Sequence, residues 1–393
     1  MDLAAPQLEA DIDKCGDATE GLGDVLGAQN DSRAASGGGR KKQRKSTAPT
    51  MLHVAEVARV SVATVSALIN GTATVSPELS QRIEQAIRDI GYKRNAIARS
   101  LKMGTTRTIG LTVPHITNPF FTDVVSVIQQ AFDRAGYAVM LCCTDEDLNT
   151  QDDQIRLLLD RMVDGLIVAR VGDGAILKRI VDDANVPVVL LDRVCEGVDT
   201  DSVVLDNQRA VFDAITHLID LGHRRIGYIS GSFDISPMHD RMTGYREALQ
   251  AAGLPVESEL VRFGNFHEVD GYNATMQLLS LHDRPSAVFS ANNPMVIGTM
   301  KAIRDIGLSC PEDISVACFD DFPWSDVFQP QLTTVAQPVK AIGEQAANLL
   351  LDRLAGNRDA PPRKLTLKGR LMIRNSCRPL GAPLGAIAQS VSA

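Results

Sequence analysis

From Thr108 onward, short apolar runs alternate with longer stretches in which apolar residues recur at helical spacing. TIGLTV reads as a strand and PFFTDVVSVIQQAFDRAG as a helix. YAVMLCC and TQDDQIRLLLDRMV repeat the pair. GLIVA, a helix over 174–184 and PVVLL complete one set. A second set follows: SVVLD, a helix over 207–221, RRIGYIS, a helix over 238–252, VRFG, a helix over 269–281, SAVFSA, a helix over 292–306, and SVACFD. Apolar strands alternating with amphipathic helices mean α/β architecture, with parallel sheets covered on both faces. Two such sets predict two lobes of doubly wound sheet with a cleft. In open sheets of this kind a ligand sits beyond the carboxyl ends of the strands.

Ahead of this region the period is helical throughout. Met51, Val54 and Ala58 recur at helical spacing, then comes the corner Ala58-Arg59-Val60-Ser61. Ser61 caps a second helix that runs to Asn70 and is stopped by Gly71. Val65, Leu68 and Ile69 share one face and predict burial. Ala63, Ser66, Ala67 and Asn70 share the other, and small outward residues let a helix sit deep in a major groove. Ser76, Pro77 and Gly91 punctuate a third helix. Its apolar stripe is Leu79, Ile83, Ala86, Ile87 and Ile90.

Charge sharpens this division. The net charge of −8 hides thirteen Lys/Arg against four Asp/Glu in residues 40–107, about +9, so the other 325 residues sum to about −17. A basic reader on an acidic body concentrates phosphate attraction at one end. Residues 1–50 are rich in Gly, Ala, Asp and Ser without periodicity and read as disordered. They end in the basic run Arg40-Lys41-Lys42-Gln43-Arg44-Lys45, either a phosphate-binding arm or a solvated tail. No apolar run approaches the ~18 residues that span a bilayer, and no secretory signal is visible. The seven cysteines form no CxxC pair and read as thiols of a reduced cytosol. No catalytic constellation, metal cluster or phosphate loop stands out, so neither an enzyme nor a cofactor is expected.

The segments VAEVARVSVATVSALIN and VSPELSQRIEQAIRDIGYKRNAIARSLKMGTTRTIGL resemble the N-terminal module of the lactose-repressor (LacI/GalR) family of bacterial transcription regulators, and the resemblance runs from about Thr50 to Arg378. It implies a helix-turn-helix domain over 51–94, a hinge over 95–107 and an effector-binding, dimerising core over 108–378, with 379–393 a tail. In that core, lobe 1 would hold about 108–206 and 337–364, and lobe 2 about 207–336 and 365–378. The chain would thus cross between lobes near 206, 336 and 364. On the DNA side the resemblance points to Thr50, Ser61, Val62, Ala63, Thr64, Ser66 and Asn70. In the hinge it points to Asn95, Ala98, Arg99 and Leu101, the last as a wedge between base pairs. His53 stands where the family often has an acid, Arg59 where it usually has the turn glycine, and Ala67 where it usually has a base-reading arginine.

Polar residues gather in the loops after the strands, and carboxylate, guanidinium and carboxamide groups beside aromatic rings suit a sugar. The resemblance places Asp192, Arg241 and Asn293 at positions that bond effector hydroxyls, and Phe266 at a stacking position. Asn118, Phe120, Asp321 and Trp324 lie on loops that line the cleft in relatives. Asn293 stands where many relatives carry aspartate, which keeps a sugar acid as an alternative to a neutral sugar. The expected protein is a cytoplasmic, nucleoid-associated regulator, a homodimer on double-stranded operator DNA controlled by a small effector. A sugar receptor for transport and a nucleotide-using enzyme are the competing readings. The C-terminal tail has no leucine heptads to support a tetramerising coiled coil.

Overall fold

The computed structural model describes residues 49–93, 104–170, 177–179, 186–195, 197–232 and 235–380. The tail ahead of them, the hinge positions Asn95, Ala98, Arg99 and Leu101, most of 174–184, and residues 381–393 lie outside the described residues. The chain divides into two compact units, residues 1–94 and 95–393.

In the first unit, α1 (Met51–Ala58), α2 (Val62–Asn70) and α3 (Pro77–Ile90) form a three-helix domain. The chain turns by 110° between α1 and α2. Local caps explain the boundaries. Ser61 Oγ accepts the Thr64 N–H at 3.0 Å and Ser76 Oγ that of Leu79 at 3.4 Å. Pro77 opens α3, and Gly71 and Gly91 end α2 and α3 at φ of 66° and 63°. At the head of α1, Thr50 N–H donates to His53 Nδ1 at 3.1 Å, so an imidazole takes the usual acid's part in the capping box. Val54, Ala58, Val65, Ile69, Ile83 and Ala86 form the buried core, with Leu68 and Ile87 packed against it.

The second unit contains two six-stranded sheets. The first has the order β11-β5-β4-β3-β1-β2. Its strands are β1 (Thr108–Val113), β2 (Ala138–Cys143), β3 (Gly165–Val168), β4 (Val188–Leu191), β5 (Asp201–Leu205) and β11 (Lys364–Leu367). All its pairings are parallel. With α4 (Pro119–Arg134), α5 (Leu148–Asp160) and α10 (Val339–Leu354) it makes lobe 1. The second sheet has the order β12-β10-β9-β8-β6-β7 and makes lobe 2. Its strands are β6 (Ile226–Ser230), β7 (Val261–Phe263), β8 (Ala287–Ser290), β9 (Ser315–Phe319), β10 (Thr333–Ala336) and β12 (Arg370–Met372), the last antiparallel to β10. Its helices are α6 (Asn207–Asp220), α7 (Ser236–Ala251), α8 (Glu268–Leu279) and α9 (Asn293–Asp305).

The central strands β3, β4, β6, β8 and β9 are buried along their whole length, as doubly covered parallel sheets require. The chain passes between the lobes at Asp206, at 337–338 and at 368–369. The last differs from the expected crossing near 364. Lys364–Leu367 pairs in register with Ser202–Leu205 and so belongs to lobe 1. Asp201 fixes this edge. Its fully buried carboxylate accepts Arg353 Nε and Nη2 at 2.8 Å each and the Arg363 N–H at 2.7 Å.

Candidate functional site

The carboxyl ends of the two sheets face each other across a cavity of about 150 Å³. The lobes touch at its mouth. Val194 N–H in lobe 1 donates to Ser236 Oγ in lobe 2 at 3.2 Å, and the rings of His115 and His267 stand 5.7 Å apart.

From lobe 2, Arg241 on the first turns of α7 projects into the cavity while only 4% exposed. Its guanidinium lies 3.4 Å above the Phe319 ring, and it donates from Nε to Asn207 Oδ1 at 2.8 Å and from Nη1 to the Ala291 carbonyl at 2.6 Å. Burial lowers its pKa, opposed by Asp320 and then Asp192. Asp320, the residue after β9, accepts Gln337 Nε2 at 2.6 Å. Burial pushes its carboxyl up to about 6, against the pull of Arg241 and of that hydrogen bond. Phe266 covers one side. Its ring fits only because residue 231 is glycine, since a β-carbon there would lie 1.9 Å from the ring.

From lobe 1, Asp192 and Arg193 follow β4. Arg193 reaches both oxygens of Glu146 at 2.6 Å and Asp192 at 3.5 Å. Burial raises the Asp192 pKa, with Arg193 and then Arg241 opposing. Asn118 caps α4 by accepting the Phe120 N–H at 3.0 Å, and Phe120 packs edge-on against Phe121 beneath it.

The backbone marks the same place. Eight non-glycine residues among those described have positive φ, and four of them line the cavity: Glu146, Asp192, Phe266 and Asp320. Left-handed conformations cost of order 1 kcal/mol for residues with a β-carbon and cluster where function holds them.

Of the positions expected at the effector site, Asn118, Phe120, Asp192, Arg241 and Phe266 line the cavity. Three do not. Asp321 turns away to Arg374, accepting its Nη1 and Nη2 at 2.9 Å each, and Asp320 takes the cavity position. The left-handed turn at Asp320, φ 71°, decides which of the two adjacent carboxylates faces inward. Trp324 is 45% exposed and packs on Phe322 outside the cavity. Asn293 is buried as the first residue of α9, with both amide atoms lacking a partner among the described residues, and does not line the cavity. Its neighbour Asn292 does, capping α9 through the Met295 N–H at 3.0 Å and donating to the Phe266 carbonyl at 3.3 Å.

In the first unit Ser61, Val62, Ala63 and Asn70 are exposed, and Thr64 and Ser66 half-buried, on the open side of α2; Thr50 is exposed at the head of α1. Residues 50–95 match the family of bacterial regulatory proteins, lacI family, and residues 215–377 match the periplasmic binding protein-like domain. The chain is 33% identical over 332 residues to the HTH-type transcriptional repressor PurR of Vibrio atlanticus (strain LGP32), covering 84% of this chain and 99% of that protein.

This chain belongs to the lacI family of bacterial regulatory proteins. It is a helix-turn-helix transcription regulator, and its family is not one of enzymes. Among solved structures it resembles the transcriptional regulator CelR–cellobiose complex at 32% identity and a TM-score of 0.64. It also resembles the lac repressor dimer bound to operator and the anti-inducer ONPF, at 26% identity and a TM-score of 0.75. Each match covers 84% of this chain and 99% of the other. Among the described residues no single helix is long and apolar enough to cross a membrane.

Proposed function

We propose that this lacI-family regulator is a repressor that binds operator DNA as a homodimer and is controlled by a neutral sugar held between its lobes. The division of labour is a reader over about 51–94, a hinge over 95–107 and a sensor over 108–378. Thr50 and residues Ser61, Val62, Ala63, Thr64, Ser66 and Asn70 would face the DNA. Asn95, Ala98, Arg99 and Leu101 would act in the hinge. Such a regulator works in the cytoplasm at the nucleoid.

The observation that carries the sensor reading is the cavity itself. Asp192 and Asp320 can accept hydroxyl protons, Arg241 and Asn292 can donate, and Phe266 offers a ring face. The cellobiose bound to CelR is a ligand of this chemistry. Charge favours a neutral ligand over a sugar acid. Arg193 is neutralised by Glu146, which leaves Arg241 facing two carboxylates, Asp192 and Asp320. Because residues from both lobes would hold the ligand, its binding couples to the lobe angle, typically by ~1–3 kcal/mol.

Thermal-shift screening of the full chain against neutral sugars, sugar acids and nucleosides tests the sensor reading. A neutral sugar or glycoside should raise the midpoint and change the mobility shift of a duplex selected from random DNA. A response to sugar acids alone would replace the neutral-ligand reading. Failure to enrich any duplex would remove the operator reading.

A further inference from the structure

The reading helix α2 carries no acidic or basic residue. Its polar side chains are tied to one another. Ser61 Oγ lies 2.8 Å from Thr64 Oγ1, and Asn70 donates to Ser66 Oγ at 3.0 Å. The phosphate attraction that seats such a helix must come from its flanks.

The Lys and Arg residues in the described part of this unit are Arg59, Arg82, Arg88 and Lys93. Arg82 donates to the Ala58 carbonyl at 2.6 Å and pins α3 to the end of α1. Arg88 is engaged along its own helix, with Gln85 at 2.9 Å and Glu84 at 3.9 Å. Lys93 follows the end of α3. Arg59 is exposed at the corner, two residues before the cap of α2, and its guanidinium has no partner among the described residues.

Arg59 is also strained, at φ 51°, where the ends of α2 and α3 use glycine. An arginine kept where glycine would relieve strain points to a use for the side chain. In helix-turn-helix docking the first helix crosses the DNA backbone while the start of the second meets base edges. A long cation between them faces phosphates. We propose that Arg59 binds a backbone phosphate, supplying from the corner the positive charge that α2 lacks. This rests on the DNA-binding reading above.

The test titrates the full-length chain on a long mixed-sequence duplex between ~50 and ~200 mM KCl. Losing one phosphate contact per subunit lowers the slope of log affinity against log salt by about 0.9. For Arg59→Gly the fall in affinity across that range should therefore be about threefold smaller, per contact, than for the unaltered protein. Arg59→Lys should keep the original slope. The unfolding midpoint of Arg59→Gly should not fall, which separates lost contact from lost fold. An unchanged slope in Arg59→Gly overturns the proposal, and so does unfolding of that variant, which would make the arginine structural. Absence of any binding by the unaltered protein would instead remove the DNA reading itself.

Discussion

In lobe 1, Arg193 meets the cavity already occupied by Glu146 and Asp192. In lobe 2, Arg241 meets it with its Nε and Nη1 held by neutral oxygens and its charge facing carboxylates across open space. Both guanidiniums are buried to the same degree, at 4% exposure. Their surroundings differ in where the compensating charge sits. Lobe 1 closes its ion pair within itself, so Arg193 holds a wall together. Lobe 2 aligns Arg241 with Asn207 and the Ala291 carbonyl, which fix its direction without cancelling its charge. A ligand gains little from a cation that is already paired and more from one that is oriented and open.

The contrast breaks most visibly at Arg193. Arg193→Met leaves Glu146 and Asp192 buried without a partner, and the sensor unit should lose ~3 kcal/mol of unfolding free energy. Arg241→Met should act on binding instead. The neutral sugar selected by screening should bind more weakly by ~1.5–3 kcal/mol, and the effector response should vanish while DNA binding survives. Calorimetry and chemical denaturation on both variants compare the two. Equal losses of stability and affinity in both would mean that the two arginines play one role.

Asp320 sharpens the comparison through pH. Its carboxyl sits at about 6, against an ordinary value of 3.8, because burial outweighs Arg241 and the Gln337 hydrogen bond. The folded chain therefore holds this proton more tightly than the unfolded chain. The stability it contributes is complete below pH 3.8 and is lost as pH rises through about 6. Asp320→Asn should flatten that decline and stabilise the ligand-free protein at neutral pH, while weakening sugar binding. Some slope should remain, because burial raises Asp192 in the same direction. Urea midpoints across the window measure it; a variant with the full original slope would assign the proton elsewhere.

How much of this was legible in the sequence depended on range. The reader's boundaries are local, written in Ser61, Gly71, Ser76, Pro77 and Gly91, and a single chain displays them. The clamp from Arg82 to the Ala58 carbonyl spans 24 positions and left no local signal. The strand alternation predicted both lobes, but KLTL at 364–367 could join either sheet, and the choice follows from contacts of Arg353 and Arg363 with Asp201. At the cavity, Asp192, Arg241 and Phe266 were legible by resemblance. Asp320 and Asn292 were each missed by one residue. Which member of Asp320-Asp321 or Asn292-Asn293 faces inward is set by a left-handed turn or a helix start, and neighbouring residues of the same type give no sign of it.

Trp324 gives the smallest expected effect and the cleanest check on that assignment. It is the only tryptophan of the chain, and an aromatic ring after a strand end invites a stacking role. The ring is instead half exposed, tilted against Phe322 with centroids 5.4 Å apart, while Phe266 sits in the cavity over Gly231. Trp324→Ala removes a surface contact, so sugar affinity should change by less than ~0.5 kcal/mol. Phe266→Ala removes the only ring whose seat was cleared by a glycine and should cost more. The two variants, titrated with the same sugar, rank the rings directly. A larger loss at Trp324 than at Phe266 would move the ligand toward the 321–328 loop, and the open guanidinium of lobe 2 would no longer be its anchor.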